Sequence, residues 1–335
     1  MKINNIEQLV IKTKIGNYVE NIEKVNGGLS HRMYKVTTDK GIYAVKELNS
    51  VIMKRKDAYS NFVFSEKVVD IAKKNDIKAV SSLKVNGDII TKVNDNYYMI
   101  FKWLEGKILK AEEITLKHCQ IIGNILAKIH NIDFSTIEDE KRKKQDAEEF
   151  NWNKYIELSN KQNKPYFKLL EQNVELLYDL NKKSIEALNY AKNNLTISHT
   201  DLDRKNVMWK GNIPYIIDWE ASGYINPTIE LIQVAWYWSG GDVGNIDYTK
   251  YKKIIEGYKK QYKGKIDKNI DKLIYADNYS GLAWLNYNLE RSLCLKNNYE
   301  RDEVELAEKE VIQSMKEIIY NASQFEYILE VIKSF

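Results

Sequence analysis

The segment 197-ISHTDLDRKNVMWKGNIPYIIDWE-220 places several polar side chains around two short apolar runs. The runs NVMW and IPYIID flank Lys210-Gly211-Asn212, which is typical of a tight turn between antiparallel strands. Asn206 lies six residues before Asn212, and Asp218 lies six residues after it. Residues nearly equidistant from such a turn face each other, with Cα atoms roughly 4.5–5.5 Å apart. The sequence therefore predicts a hairpin whose open end carries the Asn206 amide beside the Asp218 carboxylate.

The open end of this hairpin has the chemistry of a magnesium site. An amide oxygen and a carboxylate oxygen are hard ligands, and they suit a Mg²⁺ ion that keeps its remaining positions for water and phosphate. Asp201 lies five residues before Asn206 in a polar loop, so we expect it to face the same point. A carboxylate beside a metal-held phosphate can accept the proton of an attacking hydroxyl. Each residue alone would be an ordinary turn residue, but together they predict a phosphotransfer site.

The segment resembles the catalytic and metal-binding segments of the aminoglycoside phosphotransferase and choline kinase superfamily, whose fold is protein-kinase-like. The family pattern is His-x-Asp, four residues, Asn, and then a second strand that ends in Asp. His199, Asp201, Asn206 and Asp218 occupy those positions. The resemblance implies that Asp201 is the catalytic base and that Asn206 and Asp218 bind the metal, while His199 is expected to be structural. One departure is Glu230, where many relatives carry Asp; we expect it to anchor a helix.

The composition of the whole chain is that of a soluble globular protein. It has 335 residues, of which 44% are hydrophobic and 29% charged, and its formal net charge is +4. Lysines are interleaved with acidic residues, so we expect no nucleic-acid partner. The two cysteines, Cys119 and Cys294, lack metal-ligand spacing. Because no apolar run has the length of a signal peptide or a membrane span, we expect a cytoplasmic protein without a membrane partner.

The sequence pattern changes from strand-rich to helical along the chain. Up to about residue 105, short strand-forming runs separated by turn residues predict a small antiparallel sheet, and residues 58–75 predict one helix. Beyond Gly106 the pattern is largely helical apart from the hairpin. We therefore predict an α+β, two-lobed, protein-kinase-like fold. The predicted division is an N-terminal nucleotide-binding lobe over 1–102, a hinge over 103–108, and a helical catalytic and acceptor-binding lobe over 109–335.

The run 43-YAVKEL-48 predicts the floor of a nucleotide site. The strand period of two places Ala44 and Lys46 on one face and their neighbours on the other. A small residue followed two positions later by a lysine suits a flat base and then a phosphate charge. The run resembles the third strand of kinases, where the lysine meets the phosphates and a helix glutamate. The resemblance implies Glu66 of the predicted helix as the partner of Lys46, with Asp70 as a weaker candidate.

Two other segments resemble nucleotide-binding parts of the family. Residues 26–34, NGGLSHRMY, resemble its phosphate-covering turn, where glycines allow close backbone approach. Residues 99–106, MIFKWLEG, resemble the hinge, whose backbone groups pair with the base. The resemblance assigns the phosphate contacts to Gly27, Gly28, Ser30 and His31, and the base contacts to Trp103 and Leu104. The expected nucleotide is ATP, with GTP as the alternative, and the expected metal is Mg²⁺.

Three functions compete for this pattern. The leading hypothesis is an ATP- and Mg²⁺-dependent phosphotransferase that acts on a hydroxyl of a small molecule. A protein kinase is disfavoured because no Ala-Pro-Glu-type docking segment follows Asp218. A non-catalytic kinase-like protein, such as a spore-coat protein of similar architecture, remains the alternative. The presence of Lys46, Asp201, Asn206 and Asp218 together argues against it.

The acceptor is not identified by the sequence. In relatives its pocket is built from the helical lobe after the metal-binding aspartate, and here that region contains Asp242 and Glu290 among aromatics that include Trp238. Acidic groups beside aromatic faces suit an aminated substrate, such as an aminoglycoside, an amino sugar or choline. Core tryptophans with surface acids are an equal alternative. The sequence does not indicate an oligomeric state.

Overall fold

The computed structural model describes residues 2–25, 31–139, 142 and 147–334, with side chains from residue 5 onwards. The chain divides into two compact units. The first unit comprises Met1–Lys110, Ile132–Glu138 and Ser198–Gly223, and the second comprises Ala111–Asn131, Asp139–Ile197 and Tyr224–Phe335.

The first unit contains a five-stranded antiparallel sheet. Its strands are β1 (Val19–Val25), β2 (Arg32–Thr38), β3 (Gly41–Leu48), β4 (Thr91–Val93) and β5 (Asn96–Lys102). Their order in the sheet is β1-β2-β3-β5-β4. The alternation of β-branched and aromatic residues with polar ones is what makes these short runs extend and pair. The predicted antiparallel sheet is confirmed.

Helices cover the two faces of this sheet. On one face, α1 (Lys2–Thr13) packs in a buried cluster that includes Val45 of β3. On the other face, Leu48 of β3 packs in a cluster with Phe62, which belongs to α3 (Ala58–Lys74). A short helix, α2 (Ser50–Met53), precedes α3. The predicted helix over 58–75 is confirmed, and so is the alternation in β3 that puts Ala44 and Lys46 on the face opposite Val45.

The remaining strands are β6 (Lys107–Ile108), β7 (Thr196–Ser198), β8 (Val207–Lys210), β9 (Ile213–Ile216) and β10 (Gly223–Ile225). Strands β6, β8 and β9 form a three-stranded sheet, and β7 and β10 form a two-stranded one.

The hairpin of β8 and β9 is confirmed, but the predicted register was wrong by one residue. Lys210 pairs with Ile213, so the turn has two residues, and Gly211 at its first position has φ +59°. A backbone with φ in this range is easy only for glycine. Asn206 therefore lies opposite Ile217, whose N–H donates to the Asn206 carbonyl at 2.9 Å. Asp218 follows one residue later, beyond the paired strands.

The division into units differs from the predicted lobes, because residues 198–223 fall in the first unit rather than with the helical region. Backbone hydrogen bonds explain this placement. The Ile216 N–H donates to the Lys78 carbonyl at 2.9 Å, and the Val80 N–H donates to the Ile216 carbonyl at 2.9 Å. The strand β9 is thereby tied to the segment that follows α3. The predicted hinge over 103–108 stays a prediction.

The second unit is helical and has its own core. Its helices are α4 (Leu116–His130), α5 (Trp152–Lys161), α6 (Phe167–Gln172), α7 (Val174–Ala191), α8 (Pro227–Ser239), α9 (Tyr248–Gln261), α10 (Ile270–Leu273), α11 (Asn278–Ser292) and α12 (Arg301–Lys333). Leu177, Leu285 and Met315, all fully buried, bring α7, α11 and α12 together. Among the described residues, no helix is both long enough and apolar enough to cross a bilayer.

A buried polar network ties α4, α8 and α9 of this unit together. His130 Nε2 lies 2.6 Å from Glu230 Oε2, and His130 Nδ1 lies 2.8 Å from the Tyr258 hydroxyl. Glu230 is 1% exposed. A buried carboxylate needs such partners, because an unpaired one would cost far more than an unpaired neutral group. The helix-anchoring role expected for Glu230 is confirmed.

Candidate active site

The loop between β7 and β8 is organised by His199, which is fully buried. Its Nε2 donates to the Ile217 carbonyl at 3.0 Å, and its Nδ1 accepts the Asp201 N–H at 3.2 Å. Since Nδ1 is an acceptor, the ring proton sits on Nε2. The ring also packs against Trp219, with ring centroids 4.7 Å apart. His199 therefore joins the loop that carries Asp201 to the strand end that precedes Asp218, which confirms its structural role.

The side chains of Asp201 and Asn206 are joined directly. The Asn206 Nδ2 donates to the Asp201 carbonyl at 2.8 Å and to Asp201 Oδ2 at 2.9 Å. Asn206 is 3% exposed, so this geometry is fixed by its surroundings. With both contacts made by its nitrogen, the remaining polar atom of the Asn206 side chain is the oxygen Oδ1. Asn206 thus orients the Asp201 carboxylate, and the Asn206 Oδ1 is available as a metal ligand.

The protonation of Asp201 is shifted in the direction that suits a base. Burial raises the pKa of the Asp201 carboxyl above its ordinary range, and this outweighs the opposing effect of the Lys205 ammonium, whose Nζ lies 3.6 Å from Oδ1. A carboxylate whose pKa lies closer to neutral accepts a proton more readily than an ordinary aspartate.

Asp218 has a backbone conformation that is rare for a residue with a side chain, with φ +57° and ψ 59°. It comes between the end of β9 and a single 3₁₀ turn over Trp219–Ala221. Its Oδ1 lies 2.9 Å from the Lys46 Nζ, which leaves Oδ2 for a second cation. Such backbone strain is common where a side chain must be aimed at a ligand.

The donor set fits a hard divalent cation. Asn206 Oδ1 and Asp218 Oδ2 are an amide oxygen and a carboxylate oxygen, the ligand types that Mg²⁺ takes in proteins when phosphate and water complete its shell. In the part of the chain that the structure describes, no group of three or more His, Cys, Asp or Glu side chains could hold a metal by itself. Asn206 and Asp218 would supply two oxygen ligands of such an ion.

Lys46 of β3 meets two carboxylates of the segment after β9. Its Nζ lies 2.9 Å from Asp218 Oδ1 and 2.5 Å from Glu220 Oε2. Burial by itself would lower the pKa of the Lys46 ammonium, but the two carboxylates more than compensate and the pKa is raised. Lys46 is therefore held as a cation at the position predicted for the phosphate-binding lysine.

The expected ion pair between Lys46 and Glu66 was wrong. Both carboxylate oxygens of Glu66 accept the Ser82 N–H, at 3.2 and 3.1 Å. Glu66 is 7% exposed, and burial raises the pKa of its carboxyl. Glu66 pairs with Ser82 because it lies on the side of α3 that faces the segment following the helix. There its carboxylate accepts a backbone N–H. Lys46 finds its carboxylates elsewhere.

Glu220 had no role assigned from the sequence, and His31 was expected to contact phosphate. The Glu220 Oε2 that contacts Lys46 also lies 3.2 Å from His31 Nε2. His31 Nδ1 accepts the Asn49 N–H at 2.9 Å. Burial tends to raise the pKa of the Glu220 carboxyl, but His31 and Lys46 together lower it to about 2. The signal in the sequence was the acidic residue two positions after Asp218.

The other predicted nucleotide contacts are only partly described. Gly27, Gly28 and Ser30 lie outside the residues that the structure describes. Ala44 pairs with Phe101 of β5 on the Lys46 face of β3. The Trp103 N–H donates to the Ile42 carbonyl at 3.0 Å, so this donor is already used within the sheet. For the base, the Trp103 carbonyl and the backbone of Leu104 are the candidates that remain.

The predicted acceptor residues in the second unit have different surroundings. Trp238 is fully buried, so the expected contact of its ring with an acceptor was wrong: it is a core residue of α8. Glu290 forms an ion pair with Lys296 at 2.7 Å. Asp242 lies in the 3₁₀ turn that follows α8. An exposed aromatic pair is present instead on α11, where Trp284 stacks on Tyr287 with centroids 5.5 Å apart.

Solved structures of similar fold include kinases and phosphotransferases. A spectinomycin phosphotransferase in complex with ADP and spectinomycin shares 14% identity over 95% of this chain and 98% of its own, with a TM-score of 0.69. An amicoumacin kinase in complex with AMP-PNP and Ca²⁺ shares 12% over 95% and 94%, with a TM-score of 0.62. Choline kinase from Cryptosporidium parvum shares 15% over 99% of both chains, with a TM-score of 0.55. The predicted α+β, protein-kinase-like fold is confirmed.

The family follows from the sequence match. The model of the phosphotransferase enzyme family matches residues 21–258, which include both the Lys46 strand and the hairpin. The chain therefore belongs to the phosphotransferase enzyme family. No match to the chain was found among curated protein sequences.

Proposed function

We propose that this protein is an ATP-dependent phosphotransferase that uses Mg²⁺ and transfers the γ-phosphate to a hydroxyl of a small molecule. One observation carries the proposal. Lys46 Nζ lies 2.9 Å from Asp218, while Asp201 and Asn206 are joined at 2.9 Å within the same unit. A phosphate-binding cation, two oxygen ligands and a base are the parts that phosphoryl transfer requires. GTP is the alternative nucleotide.

In this mechanism each residue has a separate task. Lys46 binds phosphate oxygens and orients them, and the backbone near Trp103 and Leu104 binds the base over the small side chain of Ala44. Asn206 Oδ1 and Asp218 Oδ2 would hold the divalent ion, which would neutralise charge on the transferred phosphate. The Asp201 carboxylate accepts the proton of the acceptor hydroxyl as the oxygen attacks. Asn206 keeps that carboxylate in place through its Nδ2.

The acceptor that we propose is a small molecule that carries an amino or quaternary ammonium group. The structural neighbours support this class by their names, since they include a spectinomycin phosphotransferase and a choline kinase. An ethanolamine kinase from Plasmodium vivax and an aminopropanol kinase have the same fold. Asp242 and Glu290 stay proposals as acceptor contacts.

The test is a phosphotransfer screen with the purified protein. ADP release is measured with ATP and Mg²⁺ against a panel of aminoglycosides, spectinomycin, choline, ethanolamine, amino sugars and matched alcohols that lack the amine. We expect release that depends on both Mg²⁺ and an aminated alcohol, and that is lost in Asp201→Asn. Tight MgATP binding without turnover on any acceptor would instead favour the non-catalytic alternative.

A further inference from the structure

We propose that Glu220 positions Lys46 for the nucleotide, in the place that kinases give to a helix glutamate. The inference rests on the proposed function, because it takes Lys46 as the phosphate-binding lysine. Glu220 Oε2 lies 2.5 Å from Lys46 Nζ, and the same oxygen lies 3.2 Å from His31 Nε2. The carboxylate is thus the shared partner of the Lys46 ammonium on β3 and of the His31 ring, which directly precedes β2.

Glu66, the helix glutamate, is not available for this task. Both of its oxygens are used by the Ser82 N–H, and the residue is buried. Turning Glu66 toward Lys46 would leave the Ser82 N–H without its acceptor, and an unsatisfied buried donor is destabilising. Its structural contact therefore excludes it from pairing with the lysine.

Asp218 also contacts Lys46, but it has a second role. As the proposed metal ligand, its carboxylate must share its charge with a divalent cation, which weakens its hold on the ammonium. Glu220 lies two residues further on and keeps a full negative charge beside Lys46. Asp218 would therefore be shared between Lys46 and the metal ion, whereas Glu220 would remain an ion-pair partner of Lys46.

The Glu220 carboxylate is held in place from several directions. Glu220 is the central residue of the 3₁₀ turn Trp219–Ala221, and the backbone carbonyl of Glu220 accepts the Ser65 hydroxyl of α3 at 3.2 Å. His31 supplies a fixed donor, because its Nδ1 accepts the Asn49 N–H and its proton is then on Nε2. A carboxylate fixed by the turn and by His31 can fix the long, flexible Lys46 side chain.

A double-mutant cycle tests this directly. Binding of ADP is measured by calorimetry, with and without Mg²⁺, for the parent, Lys46→Met, Glu220→Gln and the double variant. We expect each single variant to bind MgADP roughly tenfold more weakly, the loss of one charge-assisted contact. In the Lys46→Met background, Glu220→Gln should change binding less than about twofold, because its effect passes through the lysine.

Two further variants serve as controls. Glu220→Asp keeps the carboxylate and should restore most of the affinity. If thermal unfolding shows that Glu220→Gln does not fold, Glu220→Ala, which also removes the carboxylate, takes its place in the cycle. Glu171→Gln makes the same change of charge at an exposed residue of α6 that pairs with Lys168, and it should bind MgADP like the parent.

Three outcomes decide between the possibilities. Additive losses from Glu220→Gln and Lys46→Met overturn the inference, since a merely structural residue weakens binding in both backgrounds. Coupling of Lys46→Met to Glu66→Gln instead of Glu220→Gln overturns it as well. A Lys46→Met variant that binds MgADP like the parent would show that the proposed function is wrong at its lysine, which is a separate failure.

Discussion

At the scale of single residues, the proposed role of Asp201 as a base can be tested most directly. Its Oδ2 accepts from Asn206, and burial raises the pKa of its carboxyl. We expect Asp201→Asn to lower kcat by roughly 10²–10⁴, the usual contribution of a general base. Nucleotide affinity should change little, because Asp201 acts on the acceptor. Steady-state kinetics with an acceptor from the screen, together with ADP calorimetry, measure both.

The control for this variant is Asp203→Asn, in the same loop. Asp203 contacts Lys205 at 3.5 Å and has no role in the proposed mechanism, so kcat should fall much less than with Asp201→Asn. An equal loss of nucleotide binding and turnover in Asp201→Asn would assign this residue to the nucleotide instead of the acceptor.

The residue scale also shows what a linear sequence can reveal. His199, Asp201 and Asn206 lie within eight positions of each other, so their relation was visible as a spaced motif. Glu220 stands next to the same motif, but its partner Lys46 is 174 positions away. Which carboxylate a distant lysine chooses depends on side-chain orientations that only the folded chain sets.

At the scale of elements, the hairpin of β8 and β9 is predicted to bring the metal ligands together. We expect Asn206→Ala and Asp218→Asn each to shift the Mg²⁺ dependence of ADP binding to higher Mg²⁺, because each removes an oxygen ligand or its charge. ADP affinity is measured across a Mg²⁺ titration for the parent and both variants.

A substitution on the outside of the same hairpin is the matched control. Ile213→Thr in β9 replaces an exposed side chain and should leave the titration unchanged. Superimposable curves for the parent, Asn206→Ala and Asp218→Asn would mean that the hairpin is not the metal site.

Strand β3 provides a steric test of the nucleotide floor. Ala44 lies on the same face as Lys46, so Ala44→Leu should fill the space proposed for the base and block ADP binding. The change adds volume on a half-buried face, so the fold should persist. Calorimetry reports binding and thermal unfolding reports the fold. Parent-like ADP binding by Ala44→Leu would place the base elsewhere.

The contact between α4 and α9 in the second unit makes a different demand, because their backbones approach closely at two glycines. A Cβ on Gly123 would overlap the Ile254 carbonyl oxygen, and one on Gly257 would lie 2.5 Å from the Gln120 carbonyl oxygen. Backbone atoms cannot move aside as a flexible side chain can. We expect Gly123→Ala to destabilise the protein by about 1–3 kcal/mol, although alanine favours a helix.

Gly281 in α11 is the matched control for this prediction. The nearest atom to a Cβ there is Ile318 Cγ1 at 3.9 Å, which is ordinary contact. Gly281→Ala should therefore stabilise the protein by up to about 1 kcal/mol, the difference in helix propensity. Denaturant unfolding compares the two variants with the parent. Equal effects of the two substitutions would show that helix propensity, and not backbone contact, decides.

At the scale of the whole molecule, the ionisation of Glu220 predicts how the free energy of unfolding depends on pH. The pKa of Glu220 is lowered to about 2 from its ordinary 4.5, although burial acts in the opposite direction. A lowered pKa means that the folded protein binds the proton less tightly than the unfolded chain. The stability that Glu220 contributes is therefore complete above about pH 4.5 and is lost as the pH falls toward 2.

Comparison of the parent with Glu220→Gln isolates this contribution. Burial raises the pKa of Asp201 and Glu66, and those groups have the opposite sign, but they are present in both proteins. We expect the difference in free energy of unfolding to be constant from about pH 5 to 7 and to shrink below about pH 4.5. Denaturant unfolding over this range measures it. A difference that grows toward acid would contradict the assigned ion pairs.

The sequence by itself determined the strands of the first sheet, the helix α3, the hairpin, and the motif of Asp201, Asn206 and Asp218. These features are local: strand alternation, turn residues and short spacings are written along the chain, and side chains a few positions apart must meet. The sequence also pointed to the superfamily, because that motif and its spacing are specific.

Only the tertiary structure decided the partners of groups far apart in the chain. In the folded chain Lys46 pairs with Asp218 and Glu220, and Glu66 accepts the Ser82 N–H. Trp238 is buried in a helical core. The hairpin turn has one residue fewer than the sequence predicted, so Asp218 lies beyond the paired strands. The physical reason is the same in each case: ion pairing and burial depend on three-dimensional distance, and the packing of elements that lie far apart in the chain sets those distances.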